Sequence, residues 1–368
     1  GMDPTADAVL TRLRDAAGDQ IDSDTSLAFH TVNLQAAVET GPSHDTPVVI
    51  DRFDGSNNSE SVVVDLRDGS HLRVGDQVFQ LDEQSFDEPL VIDVGGGHDS
   101  LLIIGSEGTE RLILRPPSEQ THQASESLLT IGDRQIELRG FERVEFRGGG
   151  GSDRASLFDS TGSDTLTSHP GRATLKGVGF QFDTVDVPRV YVHGTSGGAD
   201  TAFLHDSDGD DTLAVRPQFT SLQSDDSFQL AYGFEKVYAY ATAGGTDHAR
   251  LYDSDGDDTM SISSERSIIT GPRYHVSARG FESTEGHAVA GGNDVARIYA
   301  DDTSSRWHTT GSMVQWTGKD NDVRVARGFE RTLAFEAFEP IELSTQSRGV
   351  PNLFWVRDDD DALDDRAA

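Results

Sequence analysis

The chain has 368 residues, 35% of them hydrophobic, and a formal net charge of −34 from 64 acidic and 30 basic side chains. That balance argues against one deep core and favours a thin one. A field of this sign repels nucleic acid and anionic membranes and attracts cations. With no cysteine there is neither a disulfide framework nor thiolate chemistry. No apolar run approaches the roughly 20 residues that span a bilayer as a helix, so membrane insertion is not expected.

Residues 1–45 read as an N-terminal segment. Asp3-Pro4 followed by Val9, Leu10 and Leu13 predicts a capped amphipathic helix of about 12 residues, suited to covering open strand edges. From residue 46 to 345 the chain reads as β-repeats. His71–Leu81 and Leu128–Leu138 each predict a β-hairpin, with Gly75-Asp76 and Gly132-Asp133 as two-residue loops. Gly-Gly-x-Asp then recurs at 150–153, 197–200, 244–247 and 291–294, a step of 47 residues each time. After each copy comes an alternating run such as Ala202-Phe203-Leu204-His205. An acidic turn Asp-Ser-x-Gly-x-Asp-Thr follows at 159–165, 206–212 and 253–259, and Gly-Phe-Glu closes units at 140–142, 233–235, 280–282 and 328–330. Residues 346–368 form an acidic tail that includes Asp358–Asp361.

Each unit therefore holds about five short strands, and alternation within them buries one face. The expected fold is all-β, a parallel β-helix-like solenoid of about six 47-residue units with hairpin elaborations. A β-propeller is the alternative, because blades also run about 40–50 residues. Spacing leaves open whether a unit makes one coil or two.

The acidic turns are the best site candidates. Asp206, Asp208, Asp210 and Asp211 form one cluster, and Asp253, Asp255, Asp257 and Asp258 the next. Calcium takes six to eight hard oxygens, and glycine permits the sharp bend. Were the turns to stack along one edge, their carboxylates would repel unless a cation intervened or some took up protons. The plain alternative is that Asp and Gly simply build solvated corners. Gly209-Asp210-Asp211-Thr212-Leu213 and Gly256-Asp257-Asp258-Thr259-Met260 resemble the G-x-D-x-L core of calcium-binding RTX-type repeats, although they lie 47 residues apart rather than nine. The turns also look like the D-x-D-G-D stretches of FG-GAP propeller repeats. The 150–336 region resembles the repetitive stalks of large secreted or surface proteins of bacteria. That resemblance implies an extracellular or cell-surface location and an extracellular polymer as partner.

Motifs for catalysis are weak. Gly194-Thr195-Ser196-Gly197-Gly198 satisfies G-x-S-x-G by letter but falls in an inter-repeat turn. The histidines lack metal-binding spacing, and His205 sits in the column of Phe158, Tyr252 and Tyr299. The irregular 300–320 stretch, with Arg306, Trp307, His308 and Trp316, is where a sugar platform would be sought, a capping core being the plainer reading. The expectation is a structural or adhesive repeat module of an exported protein, not an enzyme, with calcium as the candidate cofactor. The alternative is a carbohydrate-binding or carbohydrate-active β-helix protein.

Overall fold

The computed structural model describes residues 31–33, 48–50, 52–81, 89–117, 127–300, 306–318, 322–335 and 353–356. The helix expected after Asp3-Pro4 and the run Asp358–Asp361 lie outside the described residues. Every regular element among the described residues is a strand, mostly of five or six residues. Frequent Gly/Asp corners keep the strands this short. Within each strand, side chains alternate between a dry interior and the outside. The inward column repeats at the 47-residue step: Ala155, Ala202, Ala249 and Ala296, each followed two residues on by Leu157, Leu204, Leu251 or Ile298, all buried.

The chain divides into two compact units. One comprises residues 1–164 and 171–198, the other residues 165–170 and 199–368. Both are β-solenoids built from two facing sheets, with the chain crossing from one to the other at each corner.

In the second unit, Thr201–His205 lies in the first sheet. The chain then makes a three-stranded antiparallel meander in the opposite sheet: Thr212–Arg216, Phe219–Gln223 and Phe228–Tyr232. Lys236–Tyr240 returns to the first sheet and His248–Tyr252 to the second. The next meander, Thr259–Ile262, Arg266–Gly271 and Tyr274–Arg279, falls in the first sheet. Ser283–His287 and Val295–Tyr299 follow in turn, and Arg306–Thr310, Met313–Thr317 and Val323–Arg327 meander in the second sheet again.

A 47-residue repeat therefore makes three crossings, one and a half turns. This answers the question of one coil or two. Because three is odd, successive repeats place their meanders in opposite sheets. Each meander also folds back along the stack. Its last strand, Tyr274–Arg279, pairs in parallel with Lys236–Tyr240, while its first, Thr259–Ile262, pairs in parallel with Val295–Tyr299. The two backtracking strands fill the gap that a steep single coil would leave.

The first unit follows the same rule. Ser61–Asp65, His71–Val74 and Gln77–Leu81 meander in one sheet, and Glu110–Leu114, Ser127–Ile131 and Arg134–Arg139 in the other. Both expected hairpins form there, with φ of 59° at Gly75 and 58° at Gly132, as two-residue turns of the primed kind require. Strands of successive repeats share sheets and pair in parallel, which is incompatible with a ring of separate antiparallel blades. The propeller alternative is thereby set aside.

Candidate functional site

The acidic turn closes on itself. In Asp206–Asp211, the backbone N–H and hydroxyl of Ser207 donate to Asp211 Oδ2 at 2.9 and 2.7 Å, and Gly209 N–H donates to Ser207 Oγ at 3.2 Å. Ser254, Gly256 and Asp258 repeat the pattern. A carboxylate four residues after a serine thus caps its own loop. The first Asp of the motif reaches across to the neighbouring corner. Asp206 Oδ2 accepts from Ala243 N–H at 2.7 Å, and Asp253 accepts from the N–H groups of Val289 and Ala290.

The three acidic motifs then converge. Asp211 N–H donates to Asp247 Oδ1 at 2.8 Å, and Asp247 N–H donates to Glu282 Oε2 at 2.7 Å. On the other edge, Asp258 N–H donates to Asp294 Oδ1 at 2.8 Å, and Asp294 N–H to Glu330 Oε2 at 2.8 Å. The first unit holds the same ladder: Glu60 N–H to Asp99 Oδ1 at 2.6 Å, and Asp99 N–H to Glu142 Oε2 at 2.7 Å. The acidic turn, Gly-Gly-x-Asp and Gly-Phe-Glu are therefore three rungs of one carboxylate ladder that satisfies corner N–H groups otherwise left unpaired. In the copy where Glu110 N–H donates to Asp153 Oδ1, the chain reads Asp186-Val187-Pro188 in place of Gly-Phe-Glu. Asp186 there has φ of 56°, the one positive φ outside glycine among the described residues.

Stacking acids in a dry corner has an electrostatic cost. Asp247 is pushed up to about 7, first by burial and then by the charges of Glu282, Asp211 and Asp206, against the lowering effect of the Asp211 N–H bond. Asp99 is also raised to about 7, and Asp294 to about 6, again chiefly by burial, with like charges adding. The middle rung is thus the one inclined to hold a proton. Asp211 Oδ1, Glu60 Oε2 and Asp99 Oδ2 are buried without a hydrogen-bond donor. Asp258 Oδ1 differs, because the Tyr274 hydroxyl donates to it at 2.9 Å; one repeat earlier that position is Ser227. Phenylalanine at 274 would leave Asp258 Oδ1 like its counterpart in Asp211. Tyr274→Phe is expected to cost about 1.5–3 kcal/mol, the usual worth of a bond to a charged group, measured by urea unfolding.

The eight sequence candidates separate by burial. Asp206, Asp211, Asp253 and Asp258 are buried acceptors for backbone groups. Asp208, Asp210, Asp255 and Asp257 are exposed, although Asp210 and Asp257 also cap Thr246 and Asn293 N–H at 2.8 and 2.9 Å. The two turns do not stack on one another. Residues 206–211 lead from the first sheet to the second, and residues 253–258 lead back, so they occupy opposite edges. Each instead stacks on a Gly-Gly-x-Asp corner, which in turn stacks on a Gly-Phe-Glu corner. Asp247, Asp294, Glu282 and Glu330 were absent from the sequence candidates, although their motifs were in plain view.

The remaining sequence leads take structural places. Ser196 is in a corner, its N–H on Asp159 Oδ2 at 2.8 Å and its hydroxyl on the Asp159 carbonyl. His205 is an outward strand residue stacked between His169 and Tyr240. Trp316 is fully buried, with the Arg324 guanidinium 3.9 Å from its ring centre. No protein-family model matches the sequence, and no curated protein is similar to it.

Proposed function

We propose that this chain is a structural or adhesive repeat module of an exported, surface-associated protein, with calcium as a stabilising ion and no catalytic role. The observation that carries the reading is the carboxylate ladder. The most strongly repeated chemistry in the sequence is spent on backbone caps at corners, which is what a scaffold requires. The resemblance to bacterial stalk repeats points the same way. On this reading a panel of polysaccharide substrates shows no turnover, and turnover abolished by a single Asp or Arg substitution overturns it.

Calcium enters at the two acidic turns. Asp208, Asp210, Asp255 and Asp257 offer exposed oxygens beside the buried carboxylates of Asp206, Asp211, Asp253 and Asp258, and hard oxygens with a glycine bend suit a weak extracellular site. Binding to the folded state alone would add about 2.7 kcal/mol at a hundredfold excess over Kd. Because the turns lie on opposite edges, the sites act independently. Asp208→Asn is expected to remove about half of the calcium-dependent rise in melting temperature, and Asp255→Asn the other half, following the independence of well-separated sites. Equal melting temperatures in calcium and in chelator, at matched ionic strength, would remove calcium from the proposal.

A further inference from the structure

The second unit segregates its charge. Acids crowd its corners, whereas among the described side chains the outward face of its first sheet carries none. Across the eight strands from Thr165–His169 to Arg331–Phe335, the outward positions hold threonine, serine, aromatic and aliphatic residues together with Lys236, Arg266, Arg279, Arg297 and Arg331. In a chain of net charge −34 this face is basic.

Two features mark it as more than a solvated surface. Arg266 and Arg279 face each other directly across an antiparallel pair, both exposed. Like charges in that arrangement destabilise a sheet, so the local rule is broken where nothing in the fold demands it. Beside them the aromatic rings form rows along the stack: Phe203 on Tyr238 at 5.4 Å and His205 on Tyr240 at 5.0 Å. The register carries the second row onward from Tyr240 to Arg279. A track of ring edges and hydroxyls thus leads into a pair of guanidinium groups.

We infer that this face binds a single chain of acidic polysaccharide, bearing uronate or sulfate groups. Guanidinium forks match carboxylate and sulfate oxygens, and tyrosine offers apolar edges with a polar tip to the sugar rings. The choice of occupant follows from width. Strands of five residues give a face roughly 17 Å across, flanked on both sides by acidic corners. Arg266 and Arg279 form the terminal pair of their ladder, next to such a corner, so a polyanion must reach them without laying the rest of its charge within about a Debye length, roughly 8 Å, of the acids. A single extended glycan strand can do so, whereas a duplex nucleic acid or a second copy of this acidic chain brings its charge over the edges. The inference rests on the adhesive part of the reading above and gives it a ligand class. It is tested by binding rather than by melting or turnover, so either can fail alone.

The experiment is calorimetric titration of the full chain with alginate, a polyuronate, and with chondroitin sulfate, using dextran as the neutral control. One or both acidic polymers are expected to bind, about tenfold more weakly when salt rises from about 50 to about 300 mM, and dextran is expected not to bind. Alginate alone binding assigns carboxylate recognition, and chondroitin sulfate alone binding assigns sulfate. Arg266→Gln with Arg279→Gln should weaken binding at least tenfold. Since both side chains are exposed, an unchanged melting curve verifies the fold, and Lys236→Gln gives a second, milder variant. Absence of binding to either acidic polymer, or binding that all these substitutions leave unchanged, overturns the inference. So does association of the chain with itself, or binding of duplex DNA, that disappears in the Arg266/Arg279 variant, because the face would then belong to that partner.

Discussion

Replacing Gly245 with alanine is expected to destabilise the second unit by about 2–6 kcal/mol. Gly245 is the second glycine of a Gly-Gly-x-Asp corner and has φ of 91°. A side chain there incurs the left-handed penalty, about 1–3 kcal/mol. A Cβ would also lie 2.2 Å from the carbonyl oxygen of Gly209, in the acidic turn stacked beneath it. That obstacle is backbone, so the corner must open, with an overpacking cost of about 1–3 kcal/mol. Gly292 meets the carbonyl of Gly256 in the same way, at 2.3 Å. Gly311 is the control: φ is 59°, but nothing lies within 4 Å of its Cβ position. Gly311→Ala should show the backbone penalty alone. If urea unfolding gives the two variants equal losses, the contact between stacked corners is not what fixes glycine at 245.

The second large effect concerns Asp247, and its sign depends on pH and on the replacement. Alanine removes the acceptor for Asp211 N–H and leaves that buried donor unpaired, an expected loss of about 1–3 kcal/mol. Asparagine retains an acceptor and removes the charge. The folded-state value of about 7 lies above the ordinary 3.8. The folded state therefore holds a proton that the unfolded state releases, and the associated stability is full at low pH and fades as pH rises through about 7. Asp247→Asn should thus lose little at pH 8 or even gain, and should look progressively worse relative to wild type down to pH 5. Melting curves in chelator, from pH 5 to 8, test this. A difference between Asn and Asp that does not change with pH would mean that the middle rung is ionised throughout.

Much of the fold was legible because the 47-residue step is strict. Strand lengths, inward columns such as Ala202 and Leu204, and the hairpins at Gly75 and Gly132 all follow from local pattern. The ladder was not legible, and the reason is geometric. Residues that stack are 35 or 36 positions apart in the second unit and 39 or 43 in the first, not 47, because each repeat spans one and a half turns and each meander runs backwards. The neighbour of Asp211 is therefore Asp247, from a different motif, rather than its sequence equivalent Asp258. Comparing copies aligned at the sequence period could reveal the three motifs but not that they touch. The same mismatch made two acidic turns look like partners when they lie on opposite edges.

The half-integral winding of each repeat also gives the array a parity. One repeat carries the chain forward and half a revolution around, as a two-fold screw operation does. Excising a single repeat, residues 212–258 for example, should still leave a closed ladder, because Asp294 and Glu330 would then stand where Asp247 and Glu282 do now. Everything downstream would, however, change azimuth by half a revolution, and the arginine pair of Arg266 and Arg279 would move to the opposite side of the stack. Removing two repeats would restore the original side. Copy number in such an array thus sets a direction as well as a length, and only changes by even numbers keep a surface pointing the same way.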